Sequence, residues 1–254
     1  MAPNVDRAAE IQQQYYTETA SCYEEMHAHE GAGDAFSMKF FYSILRMLDA
    51  QSVLDVGTAT GRNLRGLKEA LPHLSVYGVE PVAALIHQAV QKGNDAFGPI
   101  LQASGEKLPF PDASFDVVCE FAVLHHVADP RAVVKEMLRV AKRAVFISDS
   151  NRFGQGSRSA RLTKLVLYKM RLWGIYNYLK TSGRGYLISE GDGLAYSYSV
   201  YDSFEEIARW ADRLILIPNG GEKAGSWLHP LLTSGGVIVC ALRENAQIPK
   251  PIRP

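Results

Sequence analysis

The apolar positions of this chain change rhythm near residue 51. From about Asp6 to Leu48 they recur three and four apart, as in Ile11 and Tyr15 and again in Phe40, Phe41, Ile44, Leu45 and Leu48; this is the spacing that lines one face of a helix. A break at Gly31-Ala32-Gly33-Asp34 divides the stretch. Beyond Gln51 short β-branched runs take over: Ser52–Val56, Val76–Val79, Ile100–Gln102, Phe115–Cys119 and Arg143–Ile147. Helical patterns such as Pro81–Lys92 and Pro130–Ala141 lie between them. Five strands alternating with helices predict a parallel sheet covered on both faces. Leu214–Ile217 and Gly236–Leu242 read as two further strands, separated by a Gly-rich turn with no room for a crossover helix. They are expected to pair as a hairpin and to place one antiparallel strand on the sheet.

Composition narrows the partners. Lys+Arg and Asp+Glu both number 27 in 254 residues, so no global attraction to a polyanion exists and nucleic acid is not expected as a partner. A hydrophobic fraction of 47% suffices for one sizeable core. Cys22, Cys119 and Cys240 are far apart and form no CxxC pair; neither a disulfide framework nor a zinc cluster is predicted, and a reducing compartment fits. The start MAPNVDRAAEIQQQ has charge where a signal peptide needs an apolar run, and no stretch approaches the roughly 18 apolar residues of a membrane helix. A cytoplasmic location is the expectation. His27 and His29 are too isolated to read as a metal site, and no metal is predicted.

Charge is unevenly distributed. The segment Arg152–Ile188 carries eight Lys/Arg residues and no Asp or Glu, which leaves the remainder with 19 basic against 27 acidic residues, a net of minus eight. Within it Leu162, Leu165, Val166, Met170, Leu172, Trp173, Tyr176 and Leu179 have helical spacing, with Arg161, Lys164 and Arg171 among them. Two readings stand: a lid over a substrate, or a helix packed on the core with a solvated basic face. The pattern also permits weak peripheral contact with an anionic membrane.

The most informative run is Val53-Leu54-Asp55-Val56-Gly57-Thr58-Ala59-Thr60-Gly61-Arg62-Asn63-Leu64, an apolar strand ending in an acid and then a turn of small residues into a helix. Such a turn admits a ligand close to the backbone. A dinucleotide fingerprint needs a third glycine where Leu64 stands, and a phosphate-binding loop needs Gly-Lys-Ser/Thr where Gly61-Arg62-Asn63 stands. Neither fits. Glu80 ends the next strand, in Val76-Tyr77-Gly78-Val79-Glu80-Pro81, and an acceptor-only carboxylate suits the two donors of a vicinal diol. A third run, Ala103-Ser104-Gly105-Glu106-Lys107-Leu108-Pro109-Phe110-Pro111-Asp112-Ala113-Ser114-Phe115-Asp116-Val117-Val118, is followed by Val123-Leu124-His125-His126-Val127.

Together these runs resemble the class I S-adenosylmethionine-dependent methyltransferases, in the small-molecule branch that includes quinone-biosynthesis enzymes. The first run is similar to that family's acid-x-Gly-x-Gly-x-Gly motif, with Ala59 in place of the middle glycine. The resemblance covers roughly Gln51 to Ser150, and the Leu214–Leu242 hairpin in topology only. It implies an α/β, Rossmann-like, seven-stranded, mostly parallel sheet in the order 3-2-1-4-5-7-6 with strand seven antiparallel. A helical N-terminal cap (1–50), a cofactor-binding core (51–150), a helical substrate lid inserted after strand five (151–212) and a C-terminal hairpin (213–243) would form one domain over 1–254.

The resemblance also implies S-adenosylmethionine as cofactor, with S-adenosylhomocysteine (SAH) as product, and assigns residues to it. Asp55 orders the turn and the amino group of the methionine moiety; Gly57, Thr58, Ala59 and Gly61 admit the ligand; Asn63 starts the following helix. Glu80, with Pro81 after it, takes the ribose. Ser104 stands where relatives keep an acid for the adenine amino group, Gly105 offers its amide to the adenine ring, and Glu106 adjoins them. Glu120 and Phe121 are expected at the methyl end. Tyr16, on a helix like the one relatives fold over the cofactor, is either a cofactor contact or a packing residue. His125 and His126 are the candidate bases, with a helix-orienting role as the other reading. The Asn/Asp-Pro-Pro-aromatic motif of base and amide methylating relatives is missing at Cys119-Glu120-Phe121-Ala122, which leaves a small-molecule acceptor attacking through oxygen, carbon or amine. Tyr168, Trp173, Tyr176, Tyr178 and Tyr186 near Arg171, Lys180 and Arg184 suit an acidic, partly apolar one. The rival classes are a non-catalytic binder of the same cofactor acting as a regulatory or scaffolding protein, and an enzyme running a different reaction on it.

Overall fold

The computed structural model describes residues 5–27, 32–189, 193–219 and 229–243; His29 and Gly31 lie outside them. The region before residue 51 forms α1 (Val5–Thr19), α2 (Tyr23–Met26) and α3 (Ala32–Leu48). The alternating region forms β1 (Ser52–Val56), α4 (Arg62–Ala70), β2 (Ser75–Glu80), α5 (Ala83–Gln91), β3 (Ile100–Gln102), β4 (Phe115–Phe121), α6 (Pro130–Val140) and β5 (Ala141–Ser150). Then follow α7 (Arg158–Lys169), α8 (Trp173–Lys180), β6 (Tyr186–Ser189), β7 (Gly193–Tyr196), α9 (Phe204–Trp210), β8 (Arg213–Asn219) and β9 (Gly236–Leu242).

Seven strands pair in the order β3-β2-β1-β4-β5-β9-β8. The first five are mutually parallel, while β9 runs antiparallel to both β5 and β8. This is the expected order, with one antiparallel strand. The central strands β1, β4, β5 and β9 are buried on both sides because alternate residues serve two cores, while the edge strands β3 and β8 are partly exposed. Leu54, Val118, Val145 and Val239 pack under Val133 and Met137 of α6 and Ile207 of α9. Val53, Val117, Phe146 and Cys240 pack under Phe41, Ile44, Leu45 and Leu48 of α3 and Leu64 and Leu67 of α4.

Only part of the expected cap is therefore a cap. Leu48 and Phe41 are wholly buried, so α3 is a layer of the fold, and α1 and α2 alone remain to lie over the site. Three hydrogen bonds tie them down. Glu24 of α2 accepts from Lys92 Nζ and from the Thr60 hydroxyl, each at 2.8 Å. Gln12 of α1 accepts from the Leu194 amide of β7 at 2.6 Å.

The insert is also less purely helical than its pattern predicts: α7 and α8 are followed by the two-stranded antiparallel pair β6–β7. The Ser104–Phe115 connection, by contrast, is irregular but pinned. Arg139 of α6 donates to the carbonyls of Phe110 (2.8 Å) and Leu108 (3.1 Å) and to Asp112 (2.8 Å). Glu136 accepts from the Leu108 amide at 2.9 Å.

Candidate active site

The carboxyl ends of β1, β2 and β4 open into a cleft of about 260 Å³, roofed by Gln12, Tyr16 and Tyr23 of the cap. That is slightly below the range of about 300–1,000 Å³ usual for small-molecule sites. Of the residues singled out in the sequence, Tyr16, Gly57, Ala59, Glu80, Pro81, Ser104, Glu106, Phe121 and His126 line it. Asp55, Thr58, Gly61, Asn63, Gly105, Glu120 and His125 are not among the lining residues.

The floor is the turn after β1. The amides of Gly57 and Thr58 donate to the Val79 carbonyl at 2.8 and 3.0 Å, and the Gly61 amide to Thr58 at 2.9 Å. Gly57 has φ +76°, and a Cβ there would meet Val123 Cγ2 at 2.5 Å. Ala59 has φ +50°, a left-handed conformation that costs a residue with a Cβ about 1–2 kcal/mol. Its amide donates to Glu80 Oε2 at 3.0 Å, and the Val82 amide to Oε1 at 2.9 Å. The carboxylate is thereby fixed at the cleft wall with lone pairs left over, since two oxygens offer about four acceptor sites. Burial pushes Glu80 up to about 7, against the pull of the Val82 and Ala59 amides. Under the turn, burial pushes Asp55 up to about 6, opposed by Thr58, Asn63 and Cys119 beside it; Asp55 Oδ2 is buried with no hydrogen-bond partner. Asn63 is thus drawn to Asp55. It does not cap α4, whose N-cap is the left-handed Gly61.

Ser104 accepts from the Glu106 amide at 3.2 Å, closing the bend that brings both to the cleft. Gly105 serves packing: a Cβ there would stand 3.0 Å from Val56 Cγ1 and 3.2 Å from Val133 Cγ1.

Beyond β4 lies an ionisable group of four, two buried carboxyl groups and two part-buried histidines. Glu120 accepts from the Val123 amide at 2.9 Å; burial, then Asp149, raises it well above the carboxylate range. Asp149 accepts from His125 Nδ1 at 2.8 Å and from the Leu124 amide at 2.7 Å. Burial acts to raise Asp149, but His125 outweighs it and the carboxyl is held below its ordinary value. His126 stacks near His125, with ring centroids 4.0 Å apart. Its Nδ1 faces the Leu194 carbonyl at 2.7 Å, and its Nε2 lies 3.4 Å from the Tyr16 hydroxyl. A carbonyl can only accept, so Nδ1 bears the proton and Nε2 is the basic nitrogen.

A second, more open basin of about 610 Å³ is lined by Arg131, Arg152, Lys169 and Arg171 with Tyr168, Trp173 and Asp202. Arg152 leaves the end of β5 only three residues after Asp149. It is buried, ion-paired with Asp202, and surrounded by the rings of Phe153, Tyr168 and Trp173 at 5.5–5.7 Å. Burial lowers it to about 10, and its Nε has no hydrogen-bond partner. Of the three cations Arg171, Lys180 and Arg184, only Arg171 lines this basin. Sequence reasoning passed over Asp149 and Arg152 because both are distinguished by what surrounds them in space.

The residues fit an adenosyl ligand. A carboxylate with spare acceptor sites stands at the cleft wall beside the Gly57–Ala59 turn, which lines the cleft floor, under an aromatic and amide roof.

Comparisons with known proteins agree. Residues 54–147 match the family model described as a methyltransferase domain. The chain is 37% identical over 91 residues to an uncharacterized methyltransferase of Mycolicibacterium gilvum, covering 36% of this chain and 35% of that one. It is 32% identical over 96 residues to a demethylmenaquinone methyltransferase of Thermotoga maritima, covering 38% and 41%. The chain thus spans well under half the length of these relatives. Magnesium protoporphyrin IX methyltransferase from Synechocystis, solved with bound SAH, superposes with a TM-score of 0.59 at 16% identity over 93% of this chain and 99% of that one; this likeness establishes the fold. The resemblance read from the three runs is borne out over residues 54–147, which match a methyltransferase domain.

Proposed function

From that domain we infer an enzyme that transfers a methyl group from S-adenosylmethionine to an acidic, partly apolar small molecule. The observation that carries this reading is the wall carboxylate of Glu80, locked by the Ala59 and Val82 amides in the cleft that Gly57 and Ala59 also line. The bound donor supplies a methyl carbon already activated for in-line displacement, so the protein's work is positioning. Glu80 accepts the ribose hydroxyls on its remaining lone pairs. Ser104 and Glu106 border the base, and Phe121 with Val123 forms the apolar wall that excludes water. Tyr16 and Gln12 close the roof.

If the acceptor loses a proton as it attacks, His126 Nε2 receives it, because that nitrogen is basic and its ring lines the cleft. His125 is a positioning residue, held by Asp149 against the His126 ring. The cleft is small for donor and acceptor together. The basin of Arg131, Arg152, Lys169 and Arg171 supports an acidic acceptor whose charged end lies there while its reactive end enters the cleft.

The test is incubation of the purified chain with methyl-labelled S-adenosylmethionine and a metabolite extract, read by mass spectrometry. A labelled carboxylate or phosphate product is expected, and Lys169→Glu/Arg171→Glu should raise its KM about tenfold with kcat nearly unchanged. Absence of label, or transfer to neutral acceptors with KM unaltered by the substitutions, contradicts the reading.

A further inference from the structure

A helix of a folded protein normally buries one stripe against its neighbours. The helix α7 contains Leu162, Leu165, Val166 and Leu167 yet buries none of its residues, and α8 buries only Trp173. Apolar side chains here stand in water: Leu162 is 56% exposed, Met170 between the two helices 60%, Ile175 63% and Leu179 70%, and Ile188 of the adjoining β6 is 55% exposed. An apolar surface of this kind marks an interface.

Charge selects what covers it. Arg152–Ile188 has eight basic residues and no acidic one, against a net of minus eight elsewhere. Cations crowd closely enough that Lys164 is pushed down, by burial first and then by Lys180, Arg152 and Arg161. A second copy meeting this face across a two-fold axis would set like charge on like charge. An anionic bilayer offers apolar depth beneath a negative surface; Lys and Arg stems reach up past the apolar side chains to the headgroups, while the acidic remainder is repelled and fixes the orientation. We propose that the α7–α8–β6 face docks on an anionic lipid surface. Among the described residues no helix is long and apolar enough to cross a membrane, so the contact is peripheral. Because β7 follows β6 directly and its Leu194 carbonyl holds His126, docking places the cleft rim beside the lipid. The proposal does not depend on the methyl-transfer reading.

Its test is co-flotation of the purified full chain with vesicles of phosphatidylcholine alone or with about 30 mol % phosphatidylglycerol, at low and high salt. Binding at least about tenfold greater to the anionic vesicles is expected, falling as salt rises. Both Ile175→Asp/Leu179→Asp and Lys180→Glu/Arg184→Glu should abolish it while leaving the melting temperature and the SAH affinity unchanged; these side chains are exposed and lie outside the cleft. Equal binding to neutral vesicles, or no binding to anionic ones, overturns the proposal. So does concentration-dependent self-association, seen by sedimentation and removed by Ile175→Asp/Leu179→Asp, which would show a second copy on this face.

Discussion

Ala59 holds a left-handed conformation, φ +50°, so its Cβ is strained and its amide serves Glu80. Ala59→Gly relieves that strain, at about 1–2 kcal/mol, and loses about 0.4–1 kcal/mol through a freer unfolded chain; thermal unfolding should show a net gain of about 0–1.6 kcal/mol. Gly57→Ala runs the other way. It adds the same backbone strain and forces a Cβ to within 2.5 Å of Val123 Cγ2, so a loss of about 2 kcal/mol or more, with weakened SAH binding, is expected by the same measurements. The sequence displayed the small residues of this turn but not their φ angles. It marked Glu80 by its place at a strand end, whereas the two amides that lock it and the burial that shifts it exist only in the fold. That shift has a consequence for pH. Glu80, at about 7, and Asp55, at about 6, lie above their ordinary values of 4.5 and 3.8, so between those limits the folded chain holds protons the unfolded chain has released. Their contribution then falls as pH rises from about 4 to about 7, and Glu80→Gln should flatten that slope in unfolding titrations. Ligand hydroxyls favour the ionised carboxylate, so SAH binding near pH 6.5 should release protons, seen as a calorimetric heat that varies with buffer ionisation enthalpy, and affinity should weaken below about pH 7.

At the scale of elements, β1, β3 and β9 end at the residues the hydrophobic pattern predicts; β1 and β9 are buried on both faces and mostly apolar, while the edge strand β3 is only partly buried. The helices α3 and α1 both carry the three-and-four rhythm, yet one is a core layer and the other a roof; what divides them is the full burial of Phe41 and Leu48, which periodicity alone does not reveal. The pair β6–β7 was missed because Tyr186–Ser189 and Gly193–Tyr196 are four residues each, too short for an alternation to register. The cap is fastened at Glu24, which burial works to raise but Lys92 and Thr60 hold below its ordinary value. This fastening is full above the ordinary carboxylate range and is lost as pH falls through the lowered value. Glu24→Gln should leave the sheet's hydrogen exchange unchanged while α1 and α2 exchange faster, and should weaken SAH binding several-fold; equal protection in the variant would mean that the roof is held by packing alone.

Across the whole molecule, a neutral total hides two halves of opposite sign, a basic insert and an acidic remainder. The fold class and the runs that carry the family resemblance were legible because they are local patterns at fixed spacing, and the strand order followed from that resemblance. The roof, the Asp149–His125 pair and the Arg152 basin join positions far apart in the chain, such as Tyr16 and His126, and became visible only on folding. The roof, Glu80 and His126 line one cleft, and the central claim is that it binds an adenosyl ligand through Glu80. Calorimetry with SAH, comparing the wild-type chain with Glu80→Ala, tests this most directly. Loss of a charge-assisted bond of about 1.5–3 kcal/mol predicts saturable binding weakened about tenfold to a hundredfold in the variant. No binding by the wild type, or equal affinity in a variant that melts as the wild type does, would contradict it.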